Sequence, residues 1–316
     1  MKLHLDKPAF ETLLLSESEI ADIRADILEK DYYVTLILKE LADKPDQAFA
    51  YFKGGTALYK AIGSIKRFSE DIDLTVSIQD CRNPSQAKKR LERATLDYSC
   101  LPINEEDAEN FKRKCAITSI YNYESVVNVD REDELNRFLK VKIEATSFTV
   151  SEPHEPILIA PLIFDIATDE QKEILNTYDI RPFKIETIKL ERIFIDKVFA
   201  AEFYFSPEGY FDMAKHLYDL VVLLKNEKII KVLKDGKMLA YLIGLKRREE
   251  LDRRGSDLDK KAIGQFNYFQ SAMDNEELLK EFSRMQELYV FNEKDIIPIS
   301  ELRSGIGELK NHMHDY

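Results

Sequence analysis

The chain has 316 residues, 44% hydrophobic and 33% charged, with a formal net charge of −12. That is length enough for two domains, or for one with a large helical extension, and apolar content enough for a real core. The acidic balance excludes a surface that binds polyanions all over, so a nucleic-acid substrate would need a local basic patch.

No run approaches about eighteen apolar residues, so no membrane span is expected. The opening Met1-Lys2-Leu3-His4-Leu5-Asp6-Lys7 lacks a signal peptide's apolar region, and the expected location is cytoplasmic. Cys81, Cys100 and Cys115 are odd in number and without metal spacing, and read as reduced structural thiols.

Taken in order, the spacing predicts one long helix from Ser16 to about Lys44. Ser16 followed by Glu19 is a capping-box signal, and Ile20, Ile23, Ile27, Val34, Leu38 and Leu41 form a stripe near helical period. Ala48 to Lys53 reads as a short strand feeding Gly54-Gly55. A glycine pair at a helix start lets backbone amides approach phosphate oxygens, because no Cβ intervenes and the helix start is electropositive. Thr56 opens the next helix, its hydroxyl available as a cap or a phosphate contact. In the loop Ser64-Ile65-Lys66-Arg67-Phe68-Ser69-Glu70, Arg67 is either a surface residue or, with Ser69, a neighbour of phosphate.

Asp71 and Asp73 then alternate with Ile72 and Leu74 and run on into Thr75-Val76-Ser77-Ile78. Residues two apart on a strand share a face, so both carboxylates project together and repel. A divalent cation removes that conflict, and oxygen ligands of this kind suit Mg²⁺ held jointly with substrate phosphates.

Further along, Pro84 to Leu101 is expected to be helical and Ala116 to Val129 a strand. Within Leu135 to Val150, Phe138, Val141, Ile143 and Ala145 alternate with Leu139, Lys142, Glu144 and Thr146. Glu144 is either a third metal carboxylate, as a two-metal phosphoryl-transfer site requires, or an exposed sheet glutamate. Pro156 to Phe164 reads as a buried strand closing the sheet, too apolar for an exposed edge, and the domain boundary is expected near Thr177 to Pro182.

Two helices follow. In Glu186 to Phe203, Lys197 lies between Phe194, Val198 and Ala201. Gly209 to Lys225 buries Met213, Leu217, Leu220 and Leu224, while Asp212, Lys215, His216 and Asp219 form a second stripe that leaves Asp219 partly desolvated. By themselves Lys197 reads as a snorkelling lysine and Asp219 as an acid with a buried partner. Lys225 to Lys261 is rich in lysine and arginine, with Glu249, Glu250, Asp252, Asp257 and Asp259 interleaved. It is either a polyanion patch or a solvated helix face. The rest, to Tyr316, is charged and helical, anchored by Phe266, Tyr268, Phe269, Phe282 and Tyr289.

Gly54-Gly55 followed by Asp71-x-Asp73 resembles the first motif of the polymerase-β-like nucleotidyltransferase superfamily. More narrowly, Phe52-Lys53-Gly54-Gly55-Thr56-Ala57-Leu58 with Arg67-Phe68-Ser69-Glu70-Asp71-Ile72-Asp73-Leu74 is similar to the AbiEii/AbiGii toxin family, the nucleotidyltransferase-like toxins of type IV toxin–antitoxin and phage-exclusion systems. Glu29-Lys30-Asp31-Tyr32-Tyr33-Val34-Thr35 looks like that family's N-terminal helix, and Ile195-Asp196-Lys197 and Leu217-Tyr218-Asp219-Leu220 like its later motifs. Where family members often carry an arginine just before the tyrosine-aspartate pair, this chain has Lys215 and His216. The likeness covers roughly residues 25 to 225.

The resemblance implies an α+β fold: a polymerase-β-like nucleotidyltransferase domain over residues 1–180, with a mixed sheet and flanking helices, then a helical C-terminal domain over 181–316. It implies Mg²⁺-dependent transfer of a nucleoside monophosphate from an NTP to a hydroxyl. Gly54, Gly55, Thr56 and Ser69 would meet phosphate, Asp71 and Asp73 would hold two metal ions, and Glu144 would complete one of them. Lys197 would neutralise the triphosphate, and Asp219 would take a proton from the acceptor. The implied acceptor is RNA, the 3′ end of tRNA, and the implied setting is toxin–antitoxin or phage defence with an antitoxin encoded nearby. The helical C-terminal part would serve as a cap, an acceptor surface or an antitoxin-facing surface. A protein or small-molecule acceptor is a second enzymatic reading, and a non-catalytic nucleotide-binding toxin component is a third.

Overall fold

The computed structural model describes residues 1–60, 67–130, 133–251 and 257–316. Ser64, Ile65 and Lys66 of the loop before the aspartates, and Asp252, Arg253 and Arg254 of the basic stretch, lie outside the described residues. The chain forms two compact units, Met1–Ala61 with Phe68–Ile188, and Ile62–Arg67 with Lys189–Tyr316.

The first unit is built on a mixed sheet. Its elements run α1 (Lys7–Ala21), α2 (Ala25–Asp43), β1 (Ala50–Lys53), α3 (Gly54–Lys60), β2 (Ile72–Val76) and α4 (Pro84–Thr95). They continue with β3 (Phe111–Arg113), β4 (Ala116–Asn122), β5 (Lys140–Thr146), β6 (His154–Ile159), α5 (Leu162–Ile166), α6 (Asp169–Thr177) and β7 (Phe183–Ile188). Among the described residues seven strands make one sheet in the order β3-β4-β5-β2-β1-β7-β6. β2 lies near its centre, antiparallel to β1 and parallel to β5. Ile72, Leu74 and Val76 on β2 and Val141, Ile143 and Ala145 on β5 are buried, so the alternate positions of both strands share the other face.

Four expectations change. The helix expected over Ser16 to Lys44 is two helices, because Asp22 takes a left-handed conformation (φ 54°) that ends α1, and α1 begins much earlier, capped by Asp6. The apolar run Pro156 to Phe164 is not one buried strand. β6 ends at Ile159, Pro161 caps α5, and β6 is a sheet edge with Leu158 58% exposed. Pairing with β7 on one side suffices there, and Pro156 has no backbone N–H to offer a second neighbour. The helix expected from Glu186 loses its first residues to a strand, Phe183–Ile188. Its Ile185, Thr187 and Ile188 are buried, and α7 starts only at Leu190. Pro84 to Leu101 is helical only as far as Thr95.

The charged run of α2 is the lock of this unit. Glu29, Lys30 and Asp31 are all buried. Glu29 accepts from the Val126 amide at 2.7 Å and from the Ser125 hydroxyl. Lys30 donates to the Arg137 carbonyl at 2.9 Å and to the Lys140 carbonyl at the start of β5. Asp31 accepts from Lys60 at 2.6 Å, from the Leu162 amide at 2.6 Å and from the Tyr59 hydroxyl. A buried charge persists only when its partners satisfy it, so one helical turn ties α3, β5 and α5 together.

The second unit is helical: α7 (Leu190–Phe203), α8 (Tyr210–Leu223), α9 (Glu227–Lys234), α10 (Gly236–Leu251), α11 (Tyr268–Asp274), α12 (Glu276–Tyr289) and α13 (Ile299–Met313). α8 packs against α7, α12 and α13, and its Met213, Leu217 and Leu220 are fully buried. The chain is thus α+β, a mixed sheet with helices followed by a helical C-terminal region. Among the described residues no helix is long and apolar enough to cross a membrane. The three cysteines are free thiols, with Cys115 exposed.

Candidate active site

In the first unit the site grows from the β1–α3 turn and the neighbouring strand ends. Gly54 has φ 79°, a conformation that side chains disfavour, and a Cβ there would stand 2.0 Å from Asp73 Oδ2. Glycine at 54 is therefore required twice, by the turn and by the carboxylate packed over it. Register places Asp73 opposite Lys53 on β1 and opposite Glu144 on β5. Gly55 and Thr56 are buried. The Thr56 hydroxyl donates to the Asp71 carbonyl and lies 3.0 Å from the Ser69 hydroxyl. Thr56 thus fixes the loop that delivers Asp71 to β2.

Lys142 sits among these carboxylates. Its ammonium lies 3.0 Å from Asp71 Oδ2, 3.1 Å from Glu144 Oε1 and 3.7 Å from Glu109 Oε2. Burial works against the charge on Lys142, but Asp71 and Glu144 outweigh it and hold the pKa above the usual lysine value. Asp71 and Glu144 therefore converge on one cation position. Lys30, held on the Arg137 and Lys140 carbonyls, feels the same cluster: burial lowers its pKa to about 8, opposed by Glu70 and Asp71.

In the second unit Asp219 is fully buried on α8. The Arg67 guanidinium grips it with two bonds, Nε to Oδ1 at 2.7 Å and Nη2 to Oδ2 at 2.7 Å. Lys197 of α7 meets Oδ2 at 2.9 Å. Desolvation alone would raise the Asp219 pKa, but Arg67 and Lys197 prevail and hold it at about 2. His216, with Nδ1 3.4 Å from the Lys197 ammonium, is pushed well below the usual histidine range by burial and by Lys197, so it is neutral. Two cations on one carboxylate leave one positive charge in excess. Lys215 points elsewhere, to Asp212 at 3.1 Å and over the Phe211 and Tyr289 rings.

The structure therefore gathers Gly54, Gly55, Thr56, Ser69, Asp71, Asp73 and Glu144 in one unit, and brings Lys197 and Asp219 into contact in the other. Sequence reasoning missed Lys142 and Lys30 as cations at the acidic cluster, and Arg67 as the partner of Asp219. For Lys142 a signal existed, because it stands two residues before Glu144 on the same strand face. Nothing local links Arg67 to Asp219.

No curated protein matches the chain. A structural likeness is found to MenT4, a nucleotidyltransferase toxin from Mycobacterium tuberculosis H37Rv, at 14% identity and a TM-score of 0.49, covering 96% of this chain and 98% of that one. The family model for the nucleotidyl transferase AbiEii toxin of type IV toxin–antitoxin systems matches residues 36–302, most of the sequence and both units. The chain belongs to that AbiEii family and is a nucleotidyltransferase toxin of the type IV toxin–antitoxin class.

Proposed function

We propose that the chain transfers a nucleoside monophosphate from an NTP to a hydroxyl at the 3′ end of tRNA, with Mg²⁺ as its cofactor, pyrophosphate as the second product and growth arrest as the outcome. The observation that carries this reading is the convergence of Asp71 and Glu144 on a single cation, with Asp73 in register beside Glu144. All three offer only the hard oxygen ligands that Mg²⁺ prefers. Among the described residues no three Asp, Glu, His or Cys side chains stand close enough to hold an ion unaided, so phosphate and water oxygens would complete the shell, as they commonly do for Mg²⁺. When bound, the metal supplies charge neutralisation on the transferring phosphoryl group and orients the attacking and leaving oxygens.

The protein's own groups have these parts. Asp71, Asp73 and Glu144 hold the metal. Gly54 and Gly55 let the backbone approach phosphate, with Thr56 and Ser69 holding the loop beside it. Lys197 neutralises charge on the β- and γ-phosphates. Asp219 is assigned a positioning role: a carboxylate held at about 2 by Arg67 and Lys197 is a poor proton acceptor at neutral pH, but a firm anchor for the Lys197 ammonium. An antitoxin partner, a role in phage defence and a cytoplasmic location belong to the same reading.

The test is incubation of purified protein with Mg²⁺, each of four α-labelled NTPs in turn, and total tRNA, beside Asp71→Ala and Asp73→Ala. Label on tRNA with the wild type alone supports the reading. Label that appears only on another species of an added lysate assigns a different acceptor. No transfer to any species returns the weight to a non-catalytic binder.

A further inference from the structure

Helix α10 turns its acids inward and its free cations outward. Glu249 and Glu250, its two acidic residues, are buried, Glu249 at 2.6 Å from Arg192 of α7 and Glu250 at 2.9 Å from Lys246. Two of the carboxylates interleaved in this basic stretch, Glu249 and Glu250, are thus spent on internal ion pairs. The opposite face carries Lys237, Tyr241, Gly244 and Arg248, at i, i+4, i+7 and i+11, which is one stripe of a helix. Lys237 and Arg248 are exposed, and among the described residues neither pairs with a carboxylate. Tyr241 is 52% exposed. A Cβ at Gly244 would meet nothing within 4 Å, so the helix surface one turn on from Tyr241 is open. The nearest acid at the N-terminal end, Asp235, is engaged with the backbone amides of Lys237 and Met238 at 3.1 Å.

We propose that this stripe docks unpaired RNA, with Lys237 and Arg248 on phosphates a few nucleotides apart and a base stacked on Tyr241. The inference rests on the RNA-acceptor reading above and adds the surface that would hold the acceptor. A strongly acidic chain repels a polyanion over most of its area, so a strip of unpaired cations decides where contact occurs. The strip spans about 17 Å along the helix, enough for a few nucleotides of single strand. An exposed aromatic between two cations is the arrangement that stacks a base without reading its sequence. An acidic peptide would use the two cations but has no base to lay on the ring.

The test measures binding of a fluorescently labelled tRNA transcript to the full chain over a range of salt, for the wild type, Lys237→Gln/Arg248→Gln and Tyr241→Ala. All three residues are on the surface and outside the proposed catalytic machinery, so unchanged melting temperatures confirm intact folding. The double variant is expected to bind at least tenfold more weakly at low salt, with the slope of log K against log salt shallower by about one to two. Tyr241→Ala is expected to lose about tenfold with the slope unchanged. Wild-type affinity and slope in the double variant, where the wild type itself binds tRNA, overturn the docking surface and leave the acceptor reading standing. No tRNA binding by the wild type overturns both.

Discussion

Arg67 and Asp219 are 152 residues apart in sequence and joined by two parallel hydrogen bonds of 2.7 Å, both side chains buried. Fork-to-fork geometry of this kind is strong and directional, which is why a lysine would not replace the arginine. Removing the carboxylate leaves two cations buried together. Asp219→Ala is expected to destabilise the protein by about 3–5 kcal/mol, measured by urea denaturation. A loss below about 1 kcal/mol would show that the pair is not buried in solution.

The same pair sets a pH dependence. The folded pKa of Asp219, about 2, lies below the ordinary 3.8, so its contribution is fully present above about pH 4. It is lost as pH falls from there through about 2, and amounts to about 2 kcal/mol. The urea midpoint of the wild type should therefore fall over that window more steeply than that of Asp219→Asn. Parallel profiles would remove Asp219 as a cause.

Gly54→Ala tests the turn. The new methyl would clash with Asp73 Oδ2, 2.0 Å away, while the backbone is held at positive φ. The left-handed conformation costs roughly 1–2 kcal/mol for a residue with a Cβ, and displacement of Asp73 adds to that. Nucleotidyl transfer is expected to fall at least a hundredfold while the melting temperature drops by only a few degrees. An active Gly54→Ala would mean that Asp73 can sit elsewhere and still function.

What the sequence made legible was what short-range periodicity encodes. Strand alternation put Asp71 and Asp73 on one face and Glu144 on an accessible face of another strand, and β2 and β5 do pair with Asp73 opposite Glu144. Helical period likewise found the buried side of α8. Legibility failed where long-range packing decides. Pro156 to Phe164 looks like one apolar run, yet Pro161 splits it and the sheet leaves β6 at an edge. Asp22 ends α1 without the glycine that usually marks such a stop. Arg67 was open between a surface residue and a phosphate neighbour because its partner, Asp219, is on a helix that no local pattern connects to it. Glu249 and Glu250 looked like solvated charges until α10 acquired an inside and an outside.

Asp73→Ala separates the metal cluster from the fold. Asp73 lies on a central strand whose buried face is formed by Ile72, Leu74 and Val76, so the sheet does not depend on its carboxylate for core packing. Phosphoryl transfer relies on position and charge neutralisation, so losing one of the two motif aspartates should lower the rate by orders of magnitude. The expected result is a normally folded protein with at least a hundredfold less pyrophosphate released per minute. Near-normal release would place the metal elsewhere.

Lys142 offers a readout that needs no turnover. Its ammonium and a divalent cation would compete for the same oxygens of Asp71 and Glu144, within about 3 Å of both. Lys142→Met keeps the length of the side chain and removes the charge, leaving the two carboxylates facing one another. Mn²⁺, followed by its own paramagnetic resonance with no nucleotide present, is expected to bind about tenfold more tightly to the variant than to the wild type. Transfer activity in the same variant separates two parts that Lys142 could play. Tighter Mn²⁺ with preserved transfer makes it a counter-ion that the metal displaces, whereas tighter Mn²⁺ with a lowered rate makes it a phosphate contact once displaced. Unchanged or weaker Mn²⁺ binding would mean that Asp71 and Glu144 are not the ligands.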